Sequence, residues 1–143
     1  MRDTLSQAER LEELLPEVLR TLFPGVEDEP LSDLPLSQMR VLRQLQTESK
    51  SPTDLACTLG ISLSAVIQLV SKLESAELVN KTCTEGDKRC RSVSLSDHGR
   101  RLMSERRRSR AHRAAVVLAG VDPESRDALI QALEGVLTAA RTS

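Results

Sequence analysis

Between residues 62 and 91 the chain spaces polar and cationic side chains in a way that suits a polyanion. Ser62, Ser64, Ile67, Gln68, Ser71 and Lys72 recur at helical spacing and fall on one face. Lys81, Lys88, Arg89 and Arg91 follow around a short polar loop, with Asp87 among them. Serine and glutamine can hydrogen-bond the edges of bases, and glutamine suits adenine. An exposed isoleucine can meet a thymine methyl. Lysine suits a phosphate. A solvated helix face and a solubilising hairpin tip would use the same residue types, so the elements that carry them decide between the readings.

Other chemistry finds little support. GxSxG, HExxH and phosphate-loop motifs are all absent, which argues against an enzyme. Cys57, Cys83 and Cys90 are odd in number and lack CxxC spacing, so neither a disulfide framework nor a zinc site is expected. No cofactor or metal is implied. Cys90 lies between Arg89 and Arg91, where a thiol pKa would be lowered, and is the candidate for redox chemistry. Strand parity places Cys83 and Cys90 on opposite sides of a hairpin unless a bulge intervenes.

Charge is unevenly spread along the 143 residues, although the net value is −1. Residues 72–113 carry 12 basic and 6 acidic side chains, against 3 and 9 in residues 1–35. Such asymmetry suits a polyanionic partner. Phe23 is the only aromatic residue, which argues against RNA-stacking or sugar-binding surfaces. No apolar run approaches the roughly 20 residues needed to cross a bilayer. The start Met1-Arg2-Asp3-Thr4 does not resemble a signal peptide, so a cytoplasmic location is expected and no membrane partner.

The surrounding pattern is mainly helical. Leu5, Ala8, Leu11, Leu15, Val18, Leu19 and Leu22 predict a helix over 4–22, which Pro16 should kink or divide. Residues 24–35 read as a connector. A helix is predicted over 37–46, then another from Pro52 to Leu59, capped by Ser51 and closed by Gly60. Ser62 caps the next, to about Ala76, with Val66, Leu69, Val70 and Leu73 inward. Residues 78–83 and 91–95 read as strands of a hairpin with a charged tip. Ser96-Asp97 opens a helix to about Ala119, and Asp122-Pro123 opens the last. A capped helix, tight turn, second helix and charged hairpin make a winged helix-turn-helix plan. Its second helix would enter the DNA major groove.

Residues 36–99 resemble the multiple-antibiotic-resistance-regulator (MarR) family. The resemblance rests on five stretches in order: Leu36 to Leu42, Asp54 to Ser62, Leu69 to Glu74, Asp87-Lys88-Arg89, and Val93 to Gly99. The spacing from Asp87 to Gly99 also fits. It implies a wing flanked by dimerisation helices at 1–35 and 100–143, in one structural domain with the lobe at 36–99. The implied activity is that of a homodimer whose two recognition helices read a pseudo-palindromic double-stranded operator. Such regulators are usually repressors, released by a small-molecule effector or an oxidant. Arg89 matches the wing arginine that enters the minor groove, with Asp87 orienting it. Three positions depart from the family pattern. Ile67 and Gln68 replace the usual threonine and arginine, and Glu77 stands where a helix-ending glycine is usual.

Arg100, Arg101, Arg106, Arg107, Arg108, Arg110 and Arg113 look like a nucleic-acid patch. Ion pairing with Glu9, Glu12, Glu13 and Glu17 of the first helix, within or between subunits, is the favoured reading, which assigns most of them to the dimer. The alternative function is a winged-helix dimer that has lost specific DNA binding and serves as a protein-interaction module.

Overall fold

Ser51 and Ser62 set the two helix starts on which the architecture turns. Each hydroxyl accepts a hydrogen bond from the backbone three residues on: Asp54 N at 3.1 Å and Ala65 N at 3.1 Å. These caps satisfy amide groups that a helix start leaves unpaired. The computed structural model describes residues 3–83, 86 and 90–143. Among them are α1 (Thr4–Leu22), α2 (Leu36–Gln44), α3 (Pro52–Leu59), α4 (Leu63–Ser75), β1 (Val79–Cys83), β2 (Cys90–Leu95), α5 (Asp97–Leu118) and α6 (Pro123–Thr142). The fold is therefore mainly helical with a small antiparallel β-wing, as the pattern predicts. α1 is a single helix with Pro16 inside it, so the proline does not divide it.

The chain forms two compact units, Val26–Arg108 and Met1–Gly25 with Ser109–Ser143. The first extends beyond the 36–99 lobe at both ends because the connector and the start of α5 join its core. That core holds Met39, Val41, Leu42, Leu45, Leu55, Val66, Val70, Leu73, Leu78, Val79, Val93, Leu95 and Met103, with Leu31, Leu34 and Leu102 packed against it.

α3 and α4 end in the same way. After α3, Ile61 N donates to Ala56 O at 3.1 Å and Gly60 N to Cys57 O at 3.4 Å. After α4, Leu78 N donates to Leu73 O at 2.9 Å and Glu77 N to Glu74 O at 2.9 Å. This double closure requires a left-handed residue after the helix. Gly60 fills that place at φ 66° without penalty, but Glu77 fills it at φ 60° with a side chain attached.

Ser96 joins three elements. Its hydroxyl donates to Glu77 O at 2.6 Å and accepts from Gly99 N at 2.9 Å, while its amide donates to Leu78 O at 3.0 Å. Gly99 lies against this junction, and a Cβ there would run into the Leu78 carbonyl oxygen. The Ser-Asp-His-Gly stretch thus combines a cap with a close backbone approach.

β1 and β2 pair Val79 with Leu95, Asn80 with Ser94, Lys81 with Val93 and Thr82 with Ser92. The register then shifts, so that Cys83 faces Cys90. The bulge falls where simple parity would have kept the two cysteines apart. On the far side of β2, Lys50 exchanges two backbone hydrogen bonds with Val93, at 3.0 and 2.8 Å. The residue before the Ser51 cap thus adds a one-residue third strand to the wing.

In the other unit, α1 and α6 carry apolar stripes yet contain no buried residue. Arg110 lies over Phe23, 5.0 Å from the ring centroid. Asp122 caps α6 by accepting from Ser125 N at 2.9 Å. Bonds from the Ser125 side chain and backbone hold the Asp122 carboxyl below its ordinary pKa. Among the described residues, no single helix is long and apolar enough to cross a membrane.

Candidate nucleic-acid interface

The chain bends by 112° between α3 and α4. That angle lies within the range of helix-turn-helix units and turns one face of α4 away from the core. Val66, Val70 and Leu73 point inward and are buried, with Leu69 half-buried. Ser62, Ser64, Ile67, Gln68, Ser71 and Lys72 are all exposed, so the structure brings these residues together on one face. Leu63 joins them as an exposed apolar neighbour.

Three hydroxyls on this face already have partners. Ser62 caps the helix, and its Oγ lies 3.1 Å from Ser64 Oγ. Lys81 reaches from β1 across to α4. Its Nζ lies 3.5 Å from Ser71 Oγ and 3.4 Å from Glu74 Oε1. Lys81 therefore sits against the second half of α4, and its charge is partly met by Glu74. The sequence carries no signal for this pairing, which joins residues of different periodicity across a turn. Lys72 is exposed on the same helix, where an ammonium can meet a phosphate.

Arg91 is exposed at the bulge. Asp87, Lys88 and Arg89 lie outside the described residues, as does the side chain of Cys90. Cys57 and Cys83 are exposed free thiols. Among the described residues, no group of three or more His, Cys, Asp or Glu side chains could hold a metal ion.

The arginine run separates into different environments. Arg106 donates to Glu29 Oε2 at 2.7 Å and to Pro30 O at 3.3 Å. Arg113 donates to Ser109 Oγ at 2.9 Å, and Arg101 contacts His98 Nδ1 at 2.9 Å. Arg100, Arg101, Arg107 and Arg108 are exposed. An acidic partner for part of the run is what the charge pattern predicts, and Glu29 of the connector is such a partner for Arg106. Within α1, Glu13 is paired to Arg10 of the same helix at 2.8 Å.

Comparison with known proteins places this arrangement. Residues 34–91 match the model of the MarR family. The sequence matches no functionally curated protein. Among solved structures, the RV1404 protein of Mycobacterium tuberculosis is 20% identical with a TM-score of 0.79, over 97% of this chain and 95% of that one. FabT of Streptococcus pneumoniae, solved in complex with DNA, is 19% identical with a TM-score of 0.68, over 98% of this chain and 99% of that one. The MarR family protein RV2887 of M. tuberculosis, solved with salicylic acid, is 26% identical with a TM-score of 0.62, over 88% of this chain and 95% of that one. Matched in sequence over residues 34–91, about two-fifths of the chain, and in fold along nearly its whole length, the chain has the fold of MarR-type transcription regulators.

Proposed function

We propose that the protein is a homodimeric, sequence-specific DNA-binding regulator that acts as a repressor and is released by a small molecule or an oxidant. The observation that carries the DNA-binding part is the outward face of α4. It presents Ser64, Ile67, Gln68 and Lys72 on the second helix of a capped helix-turn-helix. Gln68 would read a base edge in the major groove and Lys72 would hold a phosphate. The wing would add Arg91 and the tip residues Asp87, Lys88 and Arg89, with Arg89 in the minor groove.

Dimerisation is supported by the unsatisfied helices. Leu11, Leu15 and Leu19 on α1, and Ile130, Leu133 and Leu137 on α6, are 41–58% exposed in the single chain. Helices with such stripes gain their stability from packing, and a second copy supplies it. The domain organisation proposed is therefore a central DNA-binding lobe with the terminal helices serving the dimer. Release by a small molecule rests on the family resemblance; RV2887, similar in fold, was solved in complex with salicylic acid.

Binding of the full-length protein to its own upstream region, followed by gel shift at rising salt, tests the reading. A defined palindromic site with steep salt dependence is expected. Binding without any preferred sequence would reject it in favour of an interaction module.

A further inference from the structure

Leu63 and Ile67 stand one turn apart on the outward face of α4, 46% and 51% exposed. Residues four apart are surface neighbours on a helix, so the two side chains form one apolar ridge. The inward stripe of Val66, Val70 and Leu73 is already buried, so the ridge is not part of the core. Apolar surface held in water gains by contact with an apolar partner.

The surroundings restrict what that partner can be. Residues 62–73 contain no carboxylate, and Lys72 is their only charge. The nearest acid, Glu74, is met by Lys81 at 3.4 Å. The face is thus neutral to positive and accepts a polyanion. Its hydroxyls at Ser62 and Ser64 lie 3.1 Å apart and engage each other, which leaves Gln68 as the amide available for base edges. Gln pairs in two places with adenine, and the 5-methyl group of thymine is the apolar group that DNA displays in the major groove. Both chemistries converge on A·T pairs.

We infer that Leu63 and Ile67 are specificity determinants that pack on thymine methyl groups, so that each half-site presents A·T pairs to the first two turns of α4. The inference rests on the proposed role of α4 as the groove-reading helix. It adds that the reading is by methyl contact in place of the arginine contacts common in the family.

The experiment has two stages, both with the full-length protein. Enrichment of bound sequences from a randomised duplex pool defines the site. Thymines beneath α4 are then replaced by uracil, which removes the methyl and keeps the base pair. Affinity is expected to fall about fourfold for each methyl lost, the equivalent of one buried methylene. The double variant Leu63→Ser with Ile67→Ser should bind the thymine and uracil duplexes alike, with its salt dependence and melting temperature unchanged because both residues are exposed. Equal affinity of the unaltered protein for thymine and uracil sites overturns the inference while leaving the DNA-binding reading intact. So does a Leu63→Ser, Ile67→Ser double variant that keeps the discrimination. Failure to enrich any sequence overturns the groove-reading role of α4, and the inference with it.

Discussion

Arg106 and Glu29 form a buried ion pair across 77 positions of sequence, with Nη1 to Oε2 at 2.7 Å and side chains 14% and 2% exposed. The pair fastens the acidic connector to α5. Removing the arginine would take a 2.7 Å charge-assisted bond from a carboxylate whose side chain is 2% exposed. Breaking such a pair typically costs about 3 kcal/mol or more, mostly for the stranded charge. Arg106→Ala is expected to lower the urea midpoint accordingly. A double replacement, Arg106→Met with Glu29→Met, should recover much of the loss. If Arg106→Ala alone is neutral, the pair does not hold the connector.

Glu77 offers a stabilising substitution. Its left-handed backbone costs a residue with a Cβ roughly 1–2 kcal/mol, which glycine avoids at some expense in chain entropy. Glu77→Gly should therefore raise stability by about 1 kcal/mol in denaturant unfolding. Glu77→Ala, which keeps the Cβ, should gain nothing from this source.

Gly99 should behave in the opposite sense. The side chain of Gly99→Ala would collide with a backbone carbonyl that also accepts from Ser96. Forced overpacking of this kind costs on the order of 2 kcal/mol. A thermal melt unchanged from the unaltered protein would show that Leu78 and α5 can move apart freely.

Lys72 and Arg89 separate two kinds of DNA contact. Lys72→Ala should reduce the slope of log affinity against log salt by about 1, with little change in preferred sequence. Arg89→Ala should weaken binding most at sites with narrow A·T-rich minor grooves. Quantitative anisotropy titrations across a salt series would read both. An unchanged salt slope on Lys72→Ala removes its phosphate contact.

Leu133 tests the dimer. It is 44% exposed on α6, and Leu133→Asp would place a charge on the stripe assigned to the second copy. Sedimentation should show the unaltered protein as a dimer and the variant shifted toward monomer. Normal dimer mass in the variant would move the interface elsewhere.

Asp122 gives a pH dependence with a defined sign. Its carboxyl is held below the ordinary value by the Ser125 hydrogen bonds. A lowered native pKa contributes stability above the ordinary carboxylate range. That contribution disappears as pH falls through the native value. Protection factors at the start of α6, corrected for the intrinsic pH dependence of exchange, should therefore fall in acid, and Asp122→Ala should show the lower protection at all pH values.

What the sequence reveals is mostly local. Ser51, Gly60 and Ser62 announce α3, the turn and α4 because capping depends on neighbours three or four residues away. The alternation around Val79, Val93 and Leu95 likewise marks the wing. The outward set from Ser64 to Lys72 follows from helical period and is exposed as expected. The bulge that sets Cys83 opposite Cys90 is hidden, because one extra strand residue leaves no trace in composition. The Glu29–Arg106 pair is hidden for another reason: seven arginines compete for the acidic partners, and only folding chooses. Lys81 has the right charge for DNA, but Glu74 and Ser71 hold it to α4 in a way that no periodicity reports.

The two backbone bonds between Lys50 and Val93 have a geometric consequence. They fall one residue before the cap of α3 and in the middle of β2. The helix pair and the hairpin are thereby joined like the arms of a caliper with its screw at that point. Lengthening the hairpin tip would extend one arm and leave the angle at which α4 is offered unchanged. Loss of the screw would let the arms choose their own opening, and any partner that must engage both would find no fixed gauge.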